Sequence, residues 1–208
     1  MKIVLQIVLV AAIALLTYMC YESVMTQVRF EDLGEARKTA ITTRLIEIRK
    51  AQIEYKNRYG THAGSFDELA RFLNEDKLPF IIKEGVLTDE QLEKGMTEKE
   101  AVKQGLIRRD TSWITAKDTI FSSNYDVASM RFVPGTQTTF KMDTATLLSG
   151  TGYTVKVFEC GVLYDDYLGD LDAQLLYNLK HQAEVYEKYP GLRVGSLTEI
   201  NNNAGNWE

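Results

Sequence analysis

The first 78 residues hold no proline, and the whole chain has three, at Pro79, Pro134 and Pro190. Glycine is equally scarce there: Gly34 is the only one before Gly60. Without breakers, so long a stretch is free to run as one helix. Cysteine is nearly missing too. Cys20 and Cys160 stand far apart, which excludes a disulfide-stapled scaffold, and both are expected as unpaired thiols with Cys160 in a strand. Only two histidines occur, His62 in a polar turn and His181 on a helix face, with no cysteine or histidine partner at ligand spacing, so neither is expected to bind metal or act as a base. A basic excess is absent: 24 Lys and Arg face 29 Asp and Glu, for a net charge of -5, which excludes a general nucleic-acid binder. Arg108-Arg109-Asp110 is a short patch that reads as a solvated strand end. No G-x-S-x-G, H-E-x-x-H, C-x-x-C or P-loop pattern occurs, and the 14 glycines are scattered, without repeat or low-complexity linker. No enzymatic activity is expected, and a tethered hydrolase with a dispersed triad is the least favoured reading.

What is present begins with grease. Residues 3–20 carry no charge, and only Gln6 and Thr17 are clearly polar. About 20 such residues span a bilayer as a helix, and Tyr18 and Tyr21 sit where an aromatic belt would anchor it. Thr17, Tyr18, Met19 and Tyr21 suit neither a signal-peptidase cut nor lipidation of Cys20, so an uncleaved anchor over 3–21 is the favoured reading. Lys2 and the amino terminus favour a cytoplasmic residue 1–2 segment. Arg29 is the only cation on the far side before Arg37 and Lys38, so the count leans towards a soluble part outside the cytoplasm, on an inner membrane.

The helix is expected to continue as an amphipathic rod over 22–59. Ile41, Leu45, Ile48, Ala51, Tyr55 and Tyr59 recur at steps of three and four, placing them on one face. Arg44, Glu47, Lys50, Glu54 and Arg58 take the opposite face, with Glu54 and Arg58 at i,i+4 spacing. Gly60 is the expected left-handed cap, and Gly34 the expected place for any break. A coiled coil is disfavoured because residues 24–33 keep no heptad register.

Residues 60–200 read as an α+β domain with a small antiparallel sheet and additional short helices. Ser65-Phe66-Asp67-Glu68 opens a helix to about Asn74, and two further capping boxes start at Thr88 and Thr97, their helices ending at Gly95 and Gly105. Strands are expected at 80–87 (with a Lys-Glu-Gly turn), 106–115, 128–133, 138–142, 153–162 and 192–197, with turns at Pro134-Gly135 and 149–152. In the 153–162 run, Tyr153, Val155, Val157 and Glu159 share a face. A second amphipathic helix over 170–189 would turn Leu171, Leu175, Leu179 and Tyr186 inward and stop at Pro190. Residues 201–208 read as a tail whose Trp207 docks on the domain or on a partner.

One juncture carries a family likeness. Ile48-Arg49-Lys50-Ala51-Gln52-Ile53-Glu54-Tyr55, then Tyr59-Gly60, then Ser65-Phe66-Asp67-Glu68-Leu69, resembles the type IV pilin and pseudopilin superfamily. The likeness covers about a third of the chain. It implies a half-membrane helix whose outer half packs on a small sheet through the Ala51 and Tyr55 face. The expected interaction residues are Leu45, Ile48 and Tyr55 from the stripe and Trp207 from the tail. Its implied role is structural or assembly work in an envelope secretion or surface-filament machine, beside other membrane subunits. The family's basic leader ending in glycine and its early glutamate have no counterpart around Gln6, so an accessory or monomeric pilin-like component is expected rather than a polymerising one. Some members hold calcium in a late loop. The acidic run Asp165, Asp166, Asp170 and Asp172 is the candidate here, although Asp170 and Asp172 are equally placed to cap the following helix. Otherwise no cofactor is expected. The alternative function is a membrane-tethered ligand-binding or sensor module, which would show a concave, aromatic-lined pocket.

Overall fold

A computed structural model describes residues 2–84, 97, 100 and 108–208. The chain is α+β, and its first element is one helix, α1, over Lys2–Tyr59. At 58 residues it runs about 87 Å. Gly34 does not break it. Its bare face instead lets the Tyr164–Leu168 helix approach, the Leu168 side chain lying 3.9 Å from where a Cβ would stand. Hydroxyls inside the rod return to the carbonyl four residues back, as Thr17 does to Ile13 (2.9 Å) and Thr26 to Glu22 (2.8 Å). These bonds let polar side chains ride in a helix without breaking it. Gly60 ends it at φ 70°, its N–H reaching the Lys56 carbonyl at 2.8 Å.

The chain divides into two compact units, residues 1–66 with 129–208, and residues 67–128, where one domain over 60–200 was expected. In the first, a three-stranded antiparallel sheet has the order β3-β4-β5, from Lys141–Leu148, Thr154–Leu163 and Gly191–Gly195. β3 and β4 pair from Lys141 opposite Gly161 to Leu148 opposite Thr154, closed by the 149–152 turn. Between β4 and β5 lie helices α4 (Tyr164–Leu168) and α5 (Ala173–Val185). α1 packs on this sheet through Ile41, Leu45, Ile48 and Ala51, all fully buried with Phe158 and Val194. Each of the three large aliphatics contributes roughly 1.5–3 kcal/mol by leaving water.

The second unit contains α2 (Phe66–Glu75), the antiparallel pair β1 (Lys77–Glu84) and β2 (Arg108–Thr115), and α3 (Ala116–Ile120). Pro79 lies opposite Trp113 in a sheet that has two strands among the described residues, where a missing N–H can face outward. Lys77 starts β1 three residues before the expected Phe80, because α2 ends at Glu75 and leaves a one-residue link. Thr97 and Glu100 make the expected capping box reciprocally, at 3.0 and 3.4 Å. The rest of the helices expected from Thr88 and Thr97 lies outside the described residues.

Several expectations are corrected. Residues 128–133 form not a strand but a 3-10 turn over Val127–Arg131, opened by the Asp126 side chain accepting the Ala128 N–H at 3.1 Å. β3 starts at Lys141, later than the expected 138–142 strand; ahead of it the Val133 N–H donates to the Thr138 carbonyl at 2.8 Å and Phe132 bridges Thr139 across the Pro134-Gly135 turn. Tyr153 is exposed beside the hairpin turn instead of sharing an inner face. On α5 the buried residues are Leu176 and Ala183; Leu175 and Leu179 are half-buried and Tyr186 is exposed. Glu54 accepts from Asn57 at 3.4 Å, and the Glu54–Arg58 pair is not made. Arg44 leaves the solvated face to bond the Ser129 carbonyl at 2.7 Å, with Glu47 beside it at 3.2 Å.

The C-terminal residues are not a loose tail. Gly205 bridges Val194 on the outer edge of β5, and Asn206 binds that strand through its N–H to Arg193 (3.1 Å) and its side chain to Gly191 (2.9 Å) and Arg193 (3.0 Å). Trp207 lies over Gly205, where any Cβ would collide with the indole ring. Covering an edge strand in this way removes a template for pairing with other chains. Asn206→Ala should lower the unfolding free energy by about 1 kcal/mol, since its side chain's two bonds are part-exposed; urea melts of the full-length protein read this directly.

Candidate functional site

Beyond the apolar residues 3–20 the surface of α1 is of mixed chemistry, and around residue 30 the first unit holds a concave site. Phe30, Glu31, Gly34, Glu35 and Lys38 form its α1 wall. Tyr164 and Tyr167 from α4, with Trp207 from the C-terminal segment, supply aromatic walls around a cavity of about 580 Å³. Each wall has a local cause. Residues 30, 34 and 38 fall on one helix face by their spacing of four, Gly34 keeps that face low, and α4 is held by Leu163, whose N–H donates to the Asp166 carboxylate at 3.3 Å. The two tyrosine rings meet at 6.1 Å and 52°. Burial pushes both phenols above their usual pKa, so both hydroxyls stay neutral across ordinary pH. Lys38 is tied to Glu35 at 3.1 Å, while Glu31 accepts a neutral amide, from Gln27 at 3.1 Å.

The four aspartates singled out in the sequence are assigned separately. Asp165 holds Lys180 at 2.7 and 2.9 Å. Asp166 caps α4, and Asp172 caps α5 by accepting from the Leu175 N–H at 2.9 Å. Asp170 grips Arg37 through two oxygens, the longer bond 2.8 Å, while Arg37 also donates to the Tyr167 carbonyl at 2.6 Å. That guanidinium bonding pulls the Asp170 pKa down to about 2 and pushes Arg37 upward. Among the described residues no three or more His, Cys, Asp or Glu side chains converge as a metal-holding group. Here the aspartates fix α4 and α5 against α1, and so shape the cavity wall.

Neither the chain nor any part of it matches a family model, a curated protein or a solved structure.

Of the interaction residues, Leu45 and Ile48 are fully buried in their own unit, Tyr55 is half-buried and meets Tyr59 at 4.7 Å, and Trp207 is half-buried over Gly205. Leu45 and Ile48 therefore offer no surface to a partner. Cys160 is buried in β4, where desolvation pushes its thiol far above the usual range, and Cys20 is exposed on α1. His181 lies at the surface, stacked on Tyr177. His62 is different from expectation: it is almost wholly buried against the Phe158 ring at 4.7 Å, with no hydrogen bond to either ring nitrogen. Its neighbour Ala63 is clasped by Gln52, whose side-chain amide accepts the Ala63 N–H and donates to the Ala63 carbonyl, both at 2.9 Å. Sequence reasoning missed both. Gln52 lies four residues after Ile48 and seven after Leu45, so a polar residue on the buried stripe was the available signal.

Proposed function

We propose that this chain is a pilin-like, single-span structural or assembly component of an envelope secretion or surface-filament machine. The observation that carries the reading is the change of character along one unbroken helix. From Ile3 to Val24 its large apolar side chains are exposed on all sides, and from Ile41 to Ala51 one face is buried against a sheet. The α1 rod has one stretch long and apolar enough to cross a membrane. Residues 3–21 would cover about 28 Å, close to the hydrocarbon thickness. In this reading Lys2 stays in the cytoplasm, the sheet unit stands outside, and the exposed helix meets lipid and other membrane subunits. No catalytic step is assigned to it.

The test is extraction and crosslinking of the full-length protein from its native membrane. The expected result is resistance to carbonate, release by detergent, and crosslinks from the first 28 residues to other membrane proteins. A freely soluble chain, or a detergent-extracted monomer without partners, would overturn the assembly role.

A second reading, a membrane-tethered ligand-binding module, is favoured by the concave site itself. Four aromatic side chains around a cavity of about 580 Å³ are more than packing of α4 on α1 requires.

A further inference from the structure

We infer that the cavity bounded by Phe30, Tyr164, Tyr167 and Trp207 binds a small organic cation, an alkylammonium group of the choline or betaine-ester kind, with Glu31 as its counter-charge. This rests on the second reading above and names its ligand class. Aromatic faces carry negative charge density, and several of them around one cavity attract a weakly hydrated ammonium while repelling nothing apolar. The four rings come from three separate segments of the chain, α1, α4 and the C-terminal residues, and all line the same space.

Charge decides between a cation and a neutral or anionic guest. Two carboxylates and one ammonium line the cavity: Glu31, Glu35 and Lys38. Lys38 is held by Glu35 at 3.1 Å, and those two charges offset each other. Glu31 meets only the neutral Gln27 amide among the described residues, so no cation offsets its carboxylate there. Of the neighbouring cations on α1, Arg29 pairs with Glu22 at 3.3 Å, and Arg37 is held by Asp170 and the Tyr167 carbonyl. An anion would meet an uncompensated carboxylate. A cation finds one, together with aromatic faces that the neutral phenols do not spoil.

The chain contains only two tryptophans, and the other, Trp113, is an exposed residue of β2. A Trp113→Phe variant therefore leaves Trp207 as the sole indole reporter inside the cavity wall. The full-length protein in a maltoside detergent, free of choline headgroups, is titrated with choline and separately with 3,3-dimethylbutan-1-ol, its neutral isostere. The expected result is a saturable change in Trp207 emission with choline, at least tenfold weaker with the alcohol. Tyr164→Leu should weaken the choline midpoint roughly tenfold, and Glu31→Gln several-fold, with the Glu31 effect shrinking at high salt. A cooperative thermal melt of each variant shows that the wall is still built. Equal response to choline and the alcohol would overturn the cation and leave a binding module of another ligand class. No saturable response to either overturns the cation and the binding reading together, without touching the assembly role.

Discussion

Gln52→Leu should destabilise the protein by about 3 kcal/mol, although leucine is close to glutamine in volume and Gln52 lies among the buried residues of α1. The reason is the pair of bonds it makes. Gln52 is fully buried, and its amide satisfies both the N–H and the C=O of Ala63, itself fully buried. A buried backbone group left unpaired costs roughly 1–3 kcal/mol, and here two would be stranded. The same amide also lies 3.1 Å from the Met142 sulfur on β3, so the side chain links the end of α1, the segment after it and the sheet. Urea unfolding of the full-length protein in detergent, followed by circular dichroism, gives the number. Lys50→Ala on the exposed face is the control and should change little. A loss below about 0.5 kcal/mol for Gln52→Leu would mean that Ala63 finds other partners, and the clasp would then be incidental.

The long helix was legible because two independent signals agree over residues 2–59: breakers are missing, and the apolar pattern changes from all-round to one-sided without losing helical period. Gly60 was legible for the same kind of reason, since a glycine directly after the last stripe residue has one common use. β4 was legible from its run of β-branched and aromatic residues. What failed was decided by contacts distant in sequence. The leucines at 171, 175, 176 and 179 are compatible with two helix faces, and only the packed core selects the one carrying Leu176 and Ala183. Residues 128–133 read as a strand, but the Asp126 carboxylate takes the Ala128 N–H and the chain turns into a 3-10 segment over Val127–Arg131. The cavity was less legible still. Phe30 and Trp207 are 177 positions apart, and nothing local to either announces that the C-terminal residues will cover β5 and bring the indole to α1. His62 read as a turn residue because Thr61, Gly64 and Ser65 flank it; its burial comes from β4, which lies nearly a hundred residues on.

Acidification from pH 6.5 to pH 4 should remove about 3 kcal/mol of stability through His62 alone. Desolvation is the main cause: the ring is buried beside Phe158, Lys56 adds a repelling charge, and the backbone near Gln52 and Lys156 offsets this only in part, so the pKa falls to about 4. The unfolded value is about 6.5. Above 6.5 the imidazole is neutral in both states and the contribution to stability is complete. Between 6.5 and 4 the unfolded chain takes up the proton and the folded one does not, so stability drops with falling pH. Below 4 both are protonated and the loss levels off. Carboxylates titrate near the lower end of this window, so the wild-type curve must be set against His62→Leu, which keeps an apolar side chain beside Phe158 and cannot charge. The difference between the two curves should be flat above pH 6.5 and slope between 6.5 and 4. Parallel curves would show that His62 takes up its proton in the fold as it does in the unfolded chain. Because His62 adjoins the Ala63 clasped by Gln52, charging the ring strains the same segment that Gln52→Leu releases. In Gln52→Leu the loss between pH 6.5 and 4 should therefore be smaller than in the wild type, and an unchanged loss would place the histidine outside the joint between the helix and the sheet.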